Sequence, residues 1–386
     1  MSQQKNRIEE IDYLRGFAIL AVIAIHTSGN FTKISNINLL LIINVIIDVF
    51  SHFAVPLFIF ISGFVLSLNY NIPLSKKLFY KKRAKSILPQ YIIFSALYIV
   101  LNVVLSAIND GLTLPSITEI IFYLLTASSS YHLWYIALIT QFYILYPYIT
   151  KKYNEFADNN RTFYFISIIL IIQQIWIIAK ATTETYLNSI AYFNSIVYFN
   201  AIIHILLTRV FLSHVLYFVL GIYICQNYKS VKAKILKTKY WAILIVLIIT
   251  LILSILWVKG IIEYGNYEKV PKEYFIVLDL IGSLYFPFIF LMLLVISYSF
   301  SNKKSKYSNL ILLLGKYSFG IYLIHVFYIQ IMVEIIYPCF SIDYNQWIFY
   351  PLLFGSTVLL SYLNVQQIAR LPYSEIIIGI NSDIRK

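Results

Sequence analysis

The chain has 386 residues, of which 60% are apolar and only 12% charged, and its mean hydropathy is +0.77. Apolar runs of membrane-crossing length recur from one end to the other, which excludes a water-soluble single-core protein and indicates a polytopic membrane protein. The net charge of +13 does not point to nucleic acid, because the excess sits in short loops where insertion topology and anionic lipid headgroups account for it.

A helix needs about 20 apolar residues to cross a hydrocarbon core of about 30 Å, and on that criterion ten spans are predicted. They are Ile11 to Ser28, Ile42 to Leu68, Ile87 to Ile108, His132 to Ile149, Phe163 to Ala179, Val210 to Gln226, Tyr240 to Val258, Tyr274 to Phe300, Tyr317 to Tyr337 and Trp347 to Ile368. With the N-terminus inside, 23 of the 30 Lys and Arg residues fall on the inner segments and six on the outer ones, Arg15 lying within the first span. This positive-inside asymmetry supports ten spans with both termini cytoplasmic. Ile117 to Ala127 is too short to cross and is expected as an outer-surface or re-entrant piece. Ile190 to Leu207 carries Asn194, Asn200 and His204 and is expected at the outer interface. Lys5 and Arg7 precede the first apolar run without a small-residue cleavage site after it, so the first helix is expected to stay as an anchor. Cys225 and Cys339 fall on opposite sides of the membrane in this scheme and are not expected to pair. The expected architecture is all-α, a single membrane-embedded domain over 1–386 with no appended soluble domain.

Arg15 and His26 stand inside the first span, where an ionisable group costs about 2.5 to 3.5 kcal/mol or more. They are eleven positions apart, or three helical turns, so both project from one face about 16 Å apart along the axis. Asp12 lies three positions before Arg15, close enough to compensate its charge. Two readings stay open. Either the stripe is functional and His26 transfers a proton, or Asp12 and Arg15 are a snorkelling pair and His26 packs with its hydrogen bonds satisfied.

Further along, Asp48 and His52 precede Pro56 and the run Ser62-Gly63-Phe64. The small residues fit close helix packing, and Asp48 with His52 fits either a proton relay or a mutually satisfied pair. The next inner loop closes on Lys81-Lys82-Arg83-Ala84-Lys85, just ahead of Ser86 and Pro89. It serves as a topology signal, and it also suits a polyanionic cytosolic ligand such as the phosphates of coenzyme A. His132-Leu133-Trp134-Tyr135 opens the fourth span at the outer face, where Trp and Tyr anchor at the interface and where aromatic faces also make sugar-binding walls. Ser318, Tyr322 and His325 fall at i, i+4 and i+7, a polar stripe along the cytoplasmic half of the ninth span that is expected to face a polar cavity. No metal site is expected.

In this order, from Asp12 to His325, these motifs resemble membrane acyltransferase family 3, the integral-membrane O-acyltransferases that decorate bacterial glycans. The Arg and His with ten residues between them match at Arg15 and His26, following Asp12. Ser62-Gly63-Phe64, the basic run before Pro89, His132-Leu133-Trp134-Tyr135, and Leu314-Gly315 with Ser318, Ile321-Tyr322-Leu323 and His325 each match a family motif. Ser86 stands where many members carry a second Arg, so of the paired-Arg ligand role only the Arg83 half carries over. That variant, together with Gln141-Phe142 and the lack of an appended esterase-like domain, is similar to the branch that includes the O-succinylation protein of staphylococcal polysaccharide intercellular adhesin.

The resemblance implies transfer of an acetyl or succinyl group from cytosolic acyl-CoA, as a substrate and not a bound cofactor, to a hydroxyl of an extracytoplasmic or lipid-linked glycan at the bacterial cytoplasmic membrane. It implies His26 and Arg15 as the catalytic pair. Asp12, Lys82, Arg83, Lys85, Ser318, Tyr322 and His325 are then expected on the donor side, and His132, Trp134 and Tyr135 on the acceptor side. The implied partners are membrane lipids, the glycan acceptor and envelope polysaccharide-synthesis proteins, with no nucleic acid. A polysaccharide exporter or polymerase is the alternative, using the same polar stripes as a conduit. It has no need of an Arg and a His at this spacing.

The parity of the spans is directly measurable. Reporter fusions after Asn227 and after Lys272 are expected to read inside and outside respectively, and the reverse pattern would overturn the topology.

Overall fold

The computed structural model describes residues 8–34, 36–70, 74–109, 111–189, 202–203, 205, 207–265, 270 and 272–380. Among these residues the chain is all-helical, with no strand. Seven helices are long and apolar enough to cross a membrane: Glu9–Lys33, Leu39–Asn69, Lys76–Asn109, Thr162–Thr183, Tyr240–Tyr264, Asp279–Asn302 and Lys306–Cys339. An eighth candidate is the pair Phe211–Gln226 and Tyr228–Lys237, bent by 100°. Helices Trp134–Asp158 and Phe349–Ile368 occupy the remaining two expected spans. Ile117–Thr126 is a ten-residue helix, too short to cross, closed at its start by a capping box between Ser116 and Glu119. Most of the Ile190 to Leu207 stretch lies outside the described residues.

Among the boundaries that differ from expectation, three bear on the topology and the site. The lysine-rich segment 229–239 is not a loop. It forms the first turns of a 37-residue helix, Tyr228–Tyr264, whose length of about 55 Å exceeds the hydrocarbon core and leaves room for lysines outside it. The fourth-span helix runs on past Ile149 to Asp158. The ninth-span helix begins at Lys306, capped by Ser305, whose side chain accepts from the Ser308 amide. Its Ser318, Tyr322 and His325 stripe therefore sits near mid-helix instead of in the first half.

The chain divides into two compact units. The first comprises Met1–Leu14, Val55–Lys76 and Leu138–Lys303. Its core is a close helix crossing: a Cβ on Gly63 would collide with the Phe218 carbonyl, and one on Gly221 with the Phe60 carbonyl. Two helices meet glycine to backbone in both directions, as small residues in membrane helices permit. Phe142 stacks on Phe218 with centroids 4.7 Å apart, and the Tyr146 hydroxyl donates to the Leu66 and Tyr70 carbonyls at 3.1 and 2.9 Å. Gln141 braces the entry to the Val215–Gln226 helix, its Nε2 donating to the Arg209 carbonyl and its Oε1 accepting from the Phe211 amide. Thus Ser62-Gly63 and Gln141-Phe142 have local structural work in this unit.

The second unit comprises Arg15–Ala54, Lys77–Ala137 and Lys304–Lys386. Gly16 lies flush against the backbone of Ile311, where a Cβ would collide with the carbonyl. Further along, the ring of His26 meets that of His325. Both steps run toward higher residue numbers, so the Glu9–Ser28 and Lys306–Ile331 helices are parallel. Gln90, fully buried, donates from Nε2 to the Glu375 carbonyl at 2.6 Å and ties the Leu88–Asn109 helix to the short Ser374–Ile378 helix.

The glycine crossing yields a quantitative expectation. Gly63→Ala and Gly221→Ala are each expected to destabilise the protein by about 1 to 3 kcal/mol through overpacking. Gly355→Ala, with nothing within 4 Å of its Cβ and a helical position, is expected to be neutral or mildly stabilising. Thermal melts of the detergent-solubilised protein check this, and equal melting points for all three variants would refute it.

Candidate functional site

Of the twelve expected site residues, eleven belong to the second unit and only Asp12 to the first. The second unit gathers several of them into one cluster. His26, in the last turn of the Glu9–Ser28 helix, is half-buried. Its ring stacks on that of His325, centroids 5.3 Å apart and planes 27° from parallel, and it meets the ring of Tyr131 edge-on at 4.9 Å. His325 in turn lies 5.0 Å from His132, at 76°. Three imidazoles from three separate stretches of chain are in contact. They do not form a metal site: among the described residues no group of three or more His, Cys, Asp or Glu could hold an ion.

Tyr322 organises two of the three. Its hydroxyl donates to the His132 carbonyl at 2.6 Å, and its own carbonyl accepts from His325 Nδ1 at 2.7 Å. Its ring packs edge-on against His132 at 5.4 Å and against Tyr135 at 5.4 Å. A carbonyl only accepts, so Nδ1 of His325 carries the proton, and in the neutral ring Nε2 is left with its lone pair. His132 is held by Ser130, whose Oγ lies 3.0 Å from its Nδ1. Both rings are almost fully buried, at 0% and 2% exposure for His325 and His132, and both Nε2 atoms lack a hydrogen-bond partner. Leaving such a group unpaired costs about 1 to 3 kcal/mol, so two adjacent cases call for an explanation.

Two residues of this cluster escaped the sequence reading. Tyr98, on the Leu88–Asn109 helix, donates to the Leu323 carbonyl at 2.8 Å and accepts from the Phe327 amide at 3.2 Å. Its phenol thereby engages the turn that carries His325, and its ring meets His132 at 5.0 Å. Tyr131 closes over His26 while remaining 51% exposed. As two of 34 tyrosines they carry no signal of their own. The position of Tyr131 directly before His132 is the one clue the sequence offers.

The other expected residues are placed by their helices. Arg15 shares the His26 helix three turns earlier and is half-buried. Arg83 is half-buried, and Lys82 and Lys85 exposed, in the last turn of the short helix Lys76–Lys85. Ser318 is buried one turn before Tyr322. Trp134 opens the Trp134–Asp158 helix. Asp12, buried, lies on the Glu9–Ser28 helix three residues before Arg15. His52 Nδ1 donates to the carbonyl of Asp48 at 2.7 Å and lies 3.5 Å from its carboxylate, while Ser28 donates to that carboxylate at 3.4 Å. The two side chains are thus in contact with each other, as both readings of that pair require. Cys225 and Cys339 are both free.

The arrangement offers unpartnered ring nitrogens on adjacent buried imidazoles of a helical membrane protein, which is chemistry for moving the proton of a hydroxyl. Comparison with known proteins gives one result. The family model described as an acyltransferase domain, that of acyltransferase family 3, matches residues 8–364. No curated protein and no solved structure matches the chain.

Proposed function

The chain belongs to acyltransferase family 3, and from that premise we propose that this membrane acyltransferase moves an acetyl or succinyl group from cytosolic acyl-CoA to a hydroxyl of an extracytoplasmic or lipid-linked glycan. The observation that carries the reading is the contact of His26 with His325, whose ring in turn meets His132, on a helix that also presents Arg15. In the transfer, the acceptor oxygen attacks the thioester carbonyl while its proton passes to the imidazole cluster that contains His26. The carbon–sulfur bond then breaks, and the proton leaves with the coenzyme A thiol. Arg15 polarises the thioester or holds donor phosphates, and Arg83 with Lys82 and Lys85 binds the nucleotide end. Trp134 and Tyr135 line the acceptor approach. Asp12 compensates Arg15, and Ser318 lines the path below Tyr322.

The reading requires the donor and acceptor sides to lie on opposite faces, hence ten spans with both termini cytoplasmic in a bacterial cell membrane, functioning as a single domain alongside envelope polysaccharide-synthesis proteins. The parallel run of the His26 and His325 helices supports that scheme, in which the first and ninth spans must point the same way. Assignment to the branch that acts on intercellular adhesin rests on Ser86 and Gln141-Phe142 and is part of the same proposal.

Acetyl-CoA or succinyl-CoA at about 100 times its Kd is expected to stabilise the purified protein by about 2.7 kcal/mol. Arg83→Ala is expected to weaken that binding about 10- to 100-fold, the worth of a charge-assisted hydrogen bond. His26→Gln keeps hydrogen-bonding capacity but takes up no proton, so it is expected to lower glycan acylation by about 10² to 10⁴ at unchanged expression. Full ester content in the glycan of cells expressing His26→Gln would remove His26 from the chemistry.

A further inference from the structure

Two orphaned nitrogens on adjacent buried rings have no role among those assigned above. The tautomer of His325 is fixed: its Nδ1–H is committed to the Tyr322 carbonyl at 2.7 Å, so Nε2 of the neutral ring can only accept. His132 differs, because its Nδ1 faces the Ser130 hydroxyl at 3.0 Å, a group that can donate. Where Ser130 donates, the proton of neutral His132 sits on Nε2, which then can only donate; where it accepts, Nε2 carries the lone pair. Neither Nε2 has a hydrogen-bond partner, and the ring centroids are 5.0 Å apart. Tyr322 and Tyr98 lock the backbone on either side.

We propose that His325 Nε2 and His132 Nε2–H together bind the acceptor hydroxyl of the acyl transfer, His325 receiving its proton and His132 donating to its oxygen. A hydroxyl both donates and accepts, and so satisfies the two nitrogens at once. An ammonium group only donates and would leave His132 unpaired; a carboxylate only accepts and would leave His325 unpaired. The subsite therefore selects a neutral alcohol. During the reaction the hydroxyl O–H bond breaks toward His325 Nε2 while the new carbon–oxygen bond forms at the thioester. The carbon–sulfur bond breaks, and the departing sulfur is protonated at the expense of the imidazolium. His26 stacks on His325 at 5.3 Å, its ring face beside the imidazolium that forms. His325 is then a second base of the site and not a donor-side residue, and His132 orients the alcohol.

This inference rests on the reading of the protein as an acyl-CoA-dependent O-acyltransferase, and the experiment separates the two. Membrane vesicles containing the full chain are supplied with radiolabelled acetyl-CoA or succinyl-CoA and an envelope glycan fraction, and transfer to glycan is followed in a single turnover. No transfer by the wild type with either donor would sink the acyl-CoA reading and, with it, this inference. Given wild-type transfer, His325→Gln is expected to slow it about 10²-fold or more while the thermal shift by acyl-CoA is retained. Its residual rate should climb with pH where the wild type levels off, because hydroxide replaces the lost base. His132→Gln retains an N–H donor and is expected to keep a rate within about tenfold of wild type, whereas His132→Phe, which has none, is expected to fall about 10²-fold or more. Wild-type transfer in His325→Gln would overturn the proposal, as would equal rates in His132→Gln and His132→Phe. So would loss of acyl-CoA binding in parallel with activity in His325→Gln, since that marks a donor-side or purely structural residue.

Discussion

Polar groups inside a membrane protein have no bulk water to fall back on, and each must find a partner in the chain or in a ligand. The backbone meets this demand with helices. Side chains meet it one bond at a time, and the Tyr322 peptide and phenol show how tightly this is done: one residue holds the ring of His325 through its carbonyl and the peptide of His132 through its hydroxyl. Tyr98 adds a second clamp one turn further along. These bonds fix the turns that bring the three imidazoles into contact. The Nε2 atoms of His132 and His325 are left without a partner.

The same constraint explains why the first unit looks so different. Its tightest contacts are glycine against backbone, at Gly63 and Gly221, and its polar side chains at Gln141 and Gln173 are spent on amides and carbonyls at the broken entry to the Val215–Gln226 helix. Packing attraction in lipid comes from close approach and from satisfied backbone, not from expulsion of water. Residues that look like motif positions in sequence, Ser62-Gly63-Phe64 and Gln141-Phe142, therefore have a structural role that is sufficient to account for their type.

The membrane class, the helix positions and the cluster on the first span were legible because apolar runs and rare intramembrane charges stand out in composition alone. Arg15 and His26 share one helix, as their spacing requires. The neighbourhood of His26 was not legible. His132 and His325 were assigned to opposite sides of the reaction because one opens a span and the other sits on a stripe thought to lie near a cytoplasmic end. Once the helix is seen to start at Lys306, His325 moves to mid-helix, and long-range pairing brings the two rings to 5.0 Å. Which tyrosines close the cluster depends on packing between helices, and no period within one helix encodes that. The charged turn at Arg83 keeps both of its sequence readings, since topology and ligand binding ask for the same residues there.

The spacing on the first helix bears on how the proposed transfer could cross the bilayer. Three turns separate Arg15 from His26, about 16 Å of a hydrocarbon core of about 30 Å. A donor whose charged end stays with Arg83 and the lysines needs to send only its acyl-bearing arm past Arg15 to reach the imidazoles, and the acceptor hydroxyl covers the remaining depth from the other side. Neither substrate has to traverse the membrane whole. A helix that held the guanidinium and the imidazole one turn apart would force the phosphates into the core or the sugar through it. The eleven-residue interval is thus the dimension that the proposed reaction needs, and the parallel ninth helix supplies His325 at the same depth.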